Sequence, residues 1–212
     1  MVQTIQAKDV TLLELETLFG LQLIRDRQFF QEWQANLAEI TELEKQQLDK
    51  VQAGYFNLLR YPPMLENVVK MSVLDPLLFI GDFYLSPFYV KSEKSIEISA
   101  VDENIVIKGS LDALVLKDQF WVMVIESKQA AFSIEVGLAQ ILTYMLANPY
   151  PEKPSFGMIT TGGSIIFIKL VLGENPQYAT SKIFELRNPD NELYDVLGIL
   201  KRLSQLVISA NN

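Results

Sequence analysis

The sequence predicts a mixed α/β fold, in which helices flank one sheet of parallel and antiparallel strands. The apolar run at 120–125 is long enough for one buried strand and too short for a typical helix. A second segment at 105–116, apolar and rich in β-branched residues, precedes it across a predicted hairpin turn. Apolar residues recur instead at three- and four-residue steps at 21–59 and again at 193–206, which indicates helices. A chain that combines both periodicities is typical of the α/β and α+β classes.

The 212 residues include no cysteine and no histidine. The lack of cysteine excludes disulfides, thiolate catalysis and zinc–thiolate sites. The lack of histidine excludes Ser-His-Asp and Cys-His catalysis and histidine-bound metals. Any enzyme chemistry therefore depends on carboxylates, lysine, tyrosine, serine or a metal bound by oxygen, and oxygen ligands favour Mg²⁺ or Mn²⁺.

The net charge of -8 weighs against a protein that binds DNA unaided. Such proteins usually carry a basic patch, because phosphate neutralisation supplies most of their affinity. A DNA-binding function would therefore require positive charges that gather in the folded protein, or a partner that supplies them. No apolar stretch approaches the roughly 20 residues of a membrane helix, and the N-terminus lacks a signal-peptide core. We therefore expect a cytoplasmic protein without a membrane partner.

Residues 1–59 are predicted to form a helical extension. A loose lead at 1–7 precedes a short helix at 12–18, which Asp9 or Thr11 caps and Gly20 ends. The stripe at 21–59 then indicates one long helix or a helical pair, with too few heptads for a coiled coil. This stripe packs either on the rest of the chain or against a second copy, so a homodimer through these helices is one expected assembly.

Residues 60–212 are predicted to hold the sheet and its flanking helices. Pro62 and Pro63 end the extension and begin a helix at 64–73, which Asp75-Pro76 ends. The further elements predicted are a polar turn at 91–94, a strand at 96–98, turns at 102–104 and 117–119 before the two apolar strands, a helix from 132 or 133 to 146, strands at 156–160 and 164–172, a loop at 173–179, a short strand at 182–186 and a last helix after 188–190.

Two carboxylates and a lysine are expected at one end of the hairpin formed by the apolar strands. Side chains alternate along a strand, so Glu126 and Lys128 continue one row of the strand that begins at 120. Asp112 lies in the preceding strand, where hairpin pairing brings it close to Glu126. Such a group suits a hard divalent cation, although an isolated Glu-x-Lys at a strand end is more often a solvated terminus.

The helix that follows favours the site interpretation. It carries Gln140 and Tyr144 four residues apart and hence on one face. The combination of G-x-x-D, E-x-K and Q-x-x-x-Y resembles the PD-(D/E)xK nuclease superfamily, and Q-x-x-x-Y is found particularly in its RecB-like branch. The matching residues are Gly109 and Asp112, Glu126 and Lys128, and Gln140 and Tyr144. Leu111 stands where the family pattern has proline.

A second stretch, at 65–83, resembles the first core helix of restriction-type nuclease domains, including the R subunits of type I restriction enzymes. In that family a glutamate precedes a Pro-Leu-Leu sequence by about three turns and points at the metal site. Glu66 matches this glutamate, and Pro76-Leu77-Leu78 matches the tripeptide. The alternative is that Glu66 merely stabilises the positive end of its own helix.

The resemblance implies a restriction endonuclease-like αβββαβ core in residues 60–212. It also implies a Mg²⁺-dependent endonuclease that hydrolyses DNA phosphodiesters, in restriction or in DNA repair. Asp112 and Glu126 would hold one or two Mg²⁺ or Mn²⁺ ions, helped by the Ser127 carbonyl. Lys128 would orient or deprotonate the attacking water and offset negative charge.

The remaining roles follow from the same resemblance. Gln140 would brace the site from its helix, Tyr144 would support it or contact substrate, and Glu66 would complete the carboxylate cluster. Two alternatives use the same sequence features. One is a catalytically silent nuclease-fold module that acts in assembly through its helical N-terminus, and the other is a metal-dependent hydrolase of RNA or nucleotides.

Overall fold

A computed structural model of the chain describes residues 3–100, 105–117, 120–129 and 134–209. Within these ranges nine strands form one sheet: β1 (Gln3–Gln6), β2 (Gln22–Leu23), β3 (Phe88–Ala100), β4 (Ile105–Lys117), β5 (Phe120–Ser127), β6 (Ser155–Thr160), β7 (Ser164–Val171), β8 (Gln177–Thr180) and β9 (Phe184–Glu185). The helices are α1 (Leu12–Phe19), α2 (Glu42–Leu58), α3 (Glu66–Val69), α4 (Asp75–Ile80), α5 (Leu138–Leu146) and α6 (Leu193–Ser209). A π-helical turn (Lys70–Leu74) joins α3 to α4, and 3₁₀ turns lie at Ala7–Asp9 and Ile134–Gly137.

The sheet mixes parallel and antiparallel pairs, as predicted. Its main path runs β1-β4-β5-β6-β7-β8-β2, with β3 also paired to β4 and β9 to β7. The pairs β1–β4, β5–β6 and β2–β8 are parallel, and the others are antiparallel. From residue 60 onward the element order begins with helix, three strands, helix and strand, the order expected for the core.

Two hydrophobic cores lie on opposite faces of the sheet. One packs α2, α3, α4 and α6 onto the sheet, and the other packs α1 and α5. β4 and β5 contribute to both cores because successive side chains of a strand point to opposite faces. None of the helices in the described ranges is both long enough and apolar enough to cross a bilayer.

One edge of β4 has no described strand partner over part of its length. β3 pairs with β4 from Phe88↔Lys117 to Ala100↔Ile105 and so occupies one edge over its length. On the other edge β1 pairs with residues 105–108 of β4, whereas β5 pairs with residues 113–117. Residues 109–112 therefore have no described strand partner on that edge, and this gap is where the predicted Gly-x-x-Asp sequence lies.

The first 59 residues differ from the predicted helical extension. Helix α1 forms as predicted, with a capping box at Thr11 and a left-handed Gly20 at its end. However, β1 replaces the loose lead, and β2 and a series of turns and bends replace the first half of the long helix. Phe30, Trp33, Leu37 and Ile40 pack on the core from this irregular segment. Their three- and four-residue spacing reflects core contact rather than helix, and both strands join the main sheet.

Three local predictions in the rest of the chain were wrong. Pro76 does not end its helix, because the π turn continues helical backbone directly into α4, where proline sits in the first turn. The polar residues 91–94 belong to β3, which is continuous through them although Glu93 has a φ of 52°. The predicted loop at 173–179 contains the start of β8, which pairs with both β7 and β2.

The other strands and helices after residue 60 lie close to their predicted positions. The hairpin turn at 102–104, most of the turn at 117–119 and the first residues of the helix before Gln140 fall outside the described residues.

Candidate active site

Asp112 lies in the gap on β4 and is bound through both carboxylate oxygens. Its Oδ1 accepts a hydrogen bond from Lys70 Nζ at 2.8 Å. Its Oδ2 accepts from the Ser127 backbone N–H at 2.7 Å and from the Ser127 hydroxyl at 2.8 Å. Only 14% of the Asp112 side chain is exposed. These three charge-assisted contacts fix the orientation of the carboxylate.

The separation of β5 from β4 explains how Ser127 reaches this carboxylate. The last pair between these strands toward the gap is Ala113↔Ile125. Over the next two residues β5 still pairs with β6, through Glu126↔Ile159 and Ser127↔Thr160, but it no longer pairs with β4. The Ser127 N–H is thereby free to bind the Asp112 side chain. The Asp112 side chain thus accepts a hydrogen bond from a β5 backbone N–H beyond the last backbone pair between β4 and β5.

Glu126 is almost completely buried, with 2% of its side chain exposed. Its Oε1 accepts from Lys128 Nζ at 2.6 Å, whereas its buried Oε2 has no hydrogen-bond donor among the described residues. Burial, together with the nearby charge of Asp112, raises the pKa of Glu126 to about 8 against the partial offset from Lys128. An oxygen in this position can accept a bond from a cation, a proton or a water molecule.

Lys128, Gln140 and Tyr144 form a hydrogen-bonded chain that connects Glu126 to β4. Lys128 Nζ also donates to Gln140 Oε1 at 2.8 Å, and Gln140 Nε2 donates to the Tyr144 hydroxyl at 2.9 Å. The Tyr144 hydroxyl donates to the Ser110 carbonyl at 3.0 Å, inside the β4 gap. Burial, with the charges of Glu126 and Asp112, raises the pKa of Tyr144 to about 12, so its hydroxyl stays protonated as a donor.

The glycine of the Gly-x-x-Asp sequence has a steric role. A Cβ added at Gly109 would lie 2.8 Å from the Tyr144 hydroxyl and 2.7 Å from the Ala7 Cβ. Both distances are shorter than real carbon contacts allow. Gly109 therefore lets Tyr144 approach β4 and lets the turn after β1 pack beside it.

Lys70 was not among the predicted site residues. Its ammonium lies 2.8 Å from Asp112 Oδ1 and 3.2 Å from Glu66 Oε1, so Glu66 reaches the site through this lysine. Burial opposes protonation of Lys70, but its hydrogen bonds and ion pairs with Asp112 and Glu66 outweigh burial and raise its pKa. The four-residue spacing of Glu66 and Lys70 on one helix was the available sequence signal.

A cleft of about 390 Å³ opens beside Asp112 and Lys70. Asn67 and Tyr84 line it from the helical side, and Ser92 and Glu93 line it from β3. Glu93 lies between Ser92 and Lys94, which pair with Ala113 and Leu111 on either side of Asp112. The site is therefore open at this cleft, and polar groups contribute to the cleft lining.

The structure brings all six predicted catalytic residues into one connected region, together with Ser127. Ser127 contacts Asp112 through its N–H and hydroxyl. In the described part of the chain, no group of three or more Asp, Glu, His or Cys side chains could hold a metal ion by itself. Asp112 and Glu126 with its unpartnered Oε2 still fit Mg²⁺ or Mn²⁺, since Mg²⁺ is often bound by one or two carboxylates, waters and substrate phosphates.

Comparison with known proteins gives the chain no family: no protein-family model and no curated protein sequence matches it.

Proposed function

We propose that this chain is a metal-dependent phosphodiesterase of the PD-(D/E)xK type that cleaves DNA. One observation carries the proposal. Asp112 from β4, Glu126 and Lys128 from the end of β5, and Gln140 and Tyr144 from α5 meet in one buried polar region beside a cleft. Within this region the buried Oε2 of Glu126 has no donor among the described residues and can therefore accept a bond from a cation.

Each side chain has a role in this proposal. Asp112 and Glu126 would hold Mg²⁺ or Mn²⁺, which when bound would supply an activated water and charge stabilisation for the phosphoryl oxygens. Ser127 keeps the Asp112 carboxylate in one orientation. Lys128, positioned by Glu126 and Gln140, directs its ammonium at the attacking water and offsets developing negative charge. Tyr144 fixes Gln140 against β4.

The substrate and its delivery are also part of the proposal. A net charge of -8 leaves little long-range attraction for DNA, so a protein partner that brings the DNA fits this chain better than unaided binding. Such an arrangement is consistent with restriction or repair in the cytoplasm. RNA and free nucleotides are the competing substrates, because the same residues would act on any of them.

The deciding experiment compares cleavage by wild type, Asp112→Asn and Lys128→Met. Labelled duplex DNA, single-stranded DNA and RNA are each incubated with Mg²⁺ or Mn²⁺. We expect wild type to cleave DNA and both variants to lose at least about 100-fold in rate, since each removes an interaction with the reacting groups. Asp190→Asn and Lys108→Met make the same charge changes at other positions and should cleave normally. Full activity in both site variants would refute the assignment.

A second candidate function is a catalytically silent module that acts in assembly. The observation in its favour is that each site carboxylate already has a lysine partner, Lys70 for Asp112 and Lys128 for Glu126. Its proposed contact is a homodimer through residues 1–59, where Leu13 and Leu43 are exposed on helices. Deletion of this region would remove two strands of the sheet. Leu13→Glu and Leu43→Glu are therefore the better test, and an unchanged mass in light scattering would count against this assembly.

A further inference from the structure

The cation bound to Asp112 in this structure is an internal one, the ammonium of Lys70. Asp112 Oδ2 is already bound by both donors of Ser127, which leaves Oδ1 as the oxygen for a cation. Lys70 Nζ lies at that oxygen, at 2.8 Å. A metal ion approaching Asp112 through Oδ1 therefore meets a like charge in contact with its ligand, and like charges at such separations repel strongly in a partly buried site.

The helix geometry that places Lys70 is unusual. Lys70 begins the π turn, in which the backbone N–H of Asp75 bonds to the Lys70 carbonyl five residues back. π turns are rare and occur frequently at functional sites. Val69, Val73 and Leu74 of this segment are fully or almost fully buried in the core. Their packing anchors the backbone of the turn, while the Lys70 side chain reaches Asp112 on β4.

The Lys70 side chain has space and a second ion-pair partner away from Asp112. It is 25% exposed and lines the cleft of about 390 Å³ beside the site. Lysine has a flexible four-carbon stem, so its ammonium can leave Asp112 by rotamer changes alone. Glu66, one helical turn earlier, is its second partner at 3.2 Å and offers an ion pair that does not depend on Asp112.

From this geometry we propose that Lys70 is an internal counter-ion of Asp112 that competes with the divalent cation for Oδ1. Cation binding releases the ammonium into the cleft, and loss of the cation restores the Lys70–Asp112 pair. The inference rests on the proposed metal-dependent function, because it assigns Asp112 as a cation ligand. It makes Lys70 a residue that weakens metal affinity.

The test measures Mn²⁺ binding by calorimetry on wild type and Lys70→Met. Methionine keeps the length and apolar packing of the side chain but removes the competing charge. We expect Lys70→Met to bind Mn²⁺ between about tenfold and a hundredfold more tightly, the range that corresponds to a hydrogen bond to a charged group. Lys70→Gln, which keeps a neutral donor, should show a smaller gain and serves if the methionine variant does not fold.

Lys108→Met is the matched control. Lys108 also lies on β4. Its ammonium forms an ion pair with Glu97 at 3.0 Å, and both side chains are exposed. Lys108 precedes Asp112 by four positions along the strand, so the two residues are about 13 Å apart. The substitution changes the net charge equally, so it should leave Mn²⁺ affinity within about twofold of wild type if the effect of Lys70 is local. A second readout is thermal unfolding in EDTA, where Lys70→Met should be less stable than wild type and should gain more from Mn²⁺.

The outcomes separate this inference from the proposed function. Equal Mn²⁺ affinity in wild type and Lys70→Met refutes competition but leaves the metal site intact. Weaker binding in Lys70→Met also refutes it and makes Lys70 a residue that positions Asp112. If neither wild type nor any variant binds Mn²⁺, and Asp112→Asn leaves the cleavage rate unchanged, both the inference and the metal-dependent function fail.

Discussion

Replacement of Glu126 by glutamine tests the electrostatics of the site without any substrate. The pKa of Glu126 is raised by burial and by Asp112 from its ordinary 4.5 to about 8. Between these two pH values the folded protein retains a proton that the unfolded chain releases. The unfolded state then binds fewer protons, so the free energy of unfolding falls as the pH rises.

The size of the effect follows from the two pKa values. Each pH unit between the unfolded and folded pKa is worth 1.36 kcal/mol. The difference between 4.5 and about 8 therefore corresponds to about 5 kcal/mol, a large part of a typical domain's stability. This contribution is fully present below pH 4.5 and lost as the pH passes 8. Water screens the Glu126 charge very little, because only 2% of the side chain is exposed.

The assay is urea unfolding in EDTA, followed by tryptophan fluorescence from pH 5 to pH 9. Wild type should lose several kcal/mol across this range, and Glu126→Gln should lose much less because glutamine does not titrate. Glu174→Gln, a substitution at an exposed loop position, should retain the wild-type slope. A saturating concentration of Mn²⁺ should flatten the wild-type curve, since a bound cation favours the ionised carboxylate. Parallel curves for wild type and Glu126→Gln in EDTA would refute the electrostatic argument.

Further predictions concern the packing around the site. Gly109→Ala should cost about 1–3 kcal/mol in urea unfolding because its methyl group would displace Tyr144. The control Gly54→Ala, in α2 with no atom within 4 Å of the added carbon, should instead stabilise by about 0.5–1 kcal/mol. A Gly109→Ala protein as stable as wild type would show that Tyr144 has room to move. Tyr144→Phe leaves a carbonyl and an amide without their partner and should cost about 1–3 kcal/mol, with slower cleavage. Tyr61→Phe, at an exposed position, should change stability by less than about 0.5 kcal/mol, and equal losses in the two variants would contradict the assigned bonds.

The sequence predicts those parts of the site that depend on local periodicity. Alternation along β5 puts Glu126 and Lys128 on one row, and their ammonium–carboxylate contact follows. Helical spacing puts Gln140 and Tyr144 on one face, and they are hydrogen-bonded. In both cases one secondary-structure rule is enough. Hairpin pairing was expected to bring Asp112 close to Glu126, but Asp112 is hydrogen-bonded to Ser127, where β5 no longer pairs with β4.

The features that the sequence did not predict depend on distant partners. β1 is four residues long, and its partner begins at Ile105, about a hundred residues later. Parallel pairing over that separation leaves no local pattern, and the same is true of β2 with β8. Lys70 reaches Asp112 across 42 residues of sequence, and no local periodicity indicates this contact between the helical segment and β4. The helix also continues past Pro76, because the π turn before it leads directly into α4 and no helix end forms there.

The charges of the site explain why a metal would matter for a substrate as negative as DNA. Two lysines, Lys70 and Lys128, stand against three carboxylates, Glu66, Asp112 and Glu126, so the fully ionised group carries one net negative charge. With Glu126 protonated, as at pH 7, the group is neutral. One divalent cation changes the ionised group from -1 to +1, which is the sign that attracts a phosphodiester. In a chain of net charge -8, local attraction for DNA would then depend on the bound ion and on the lysines around it.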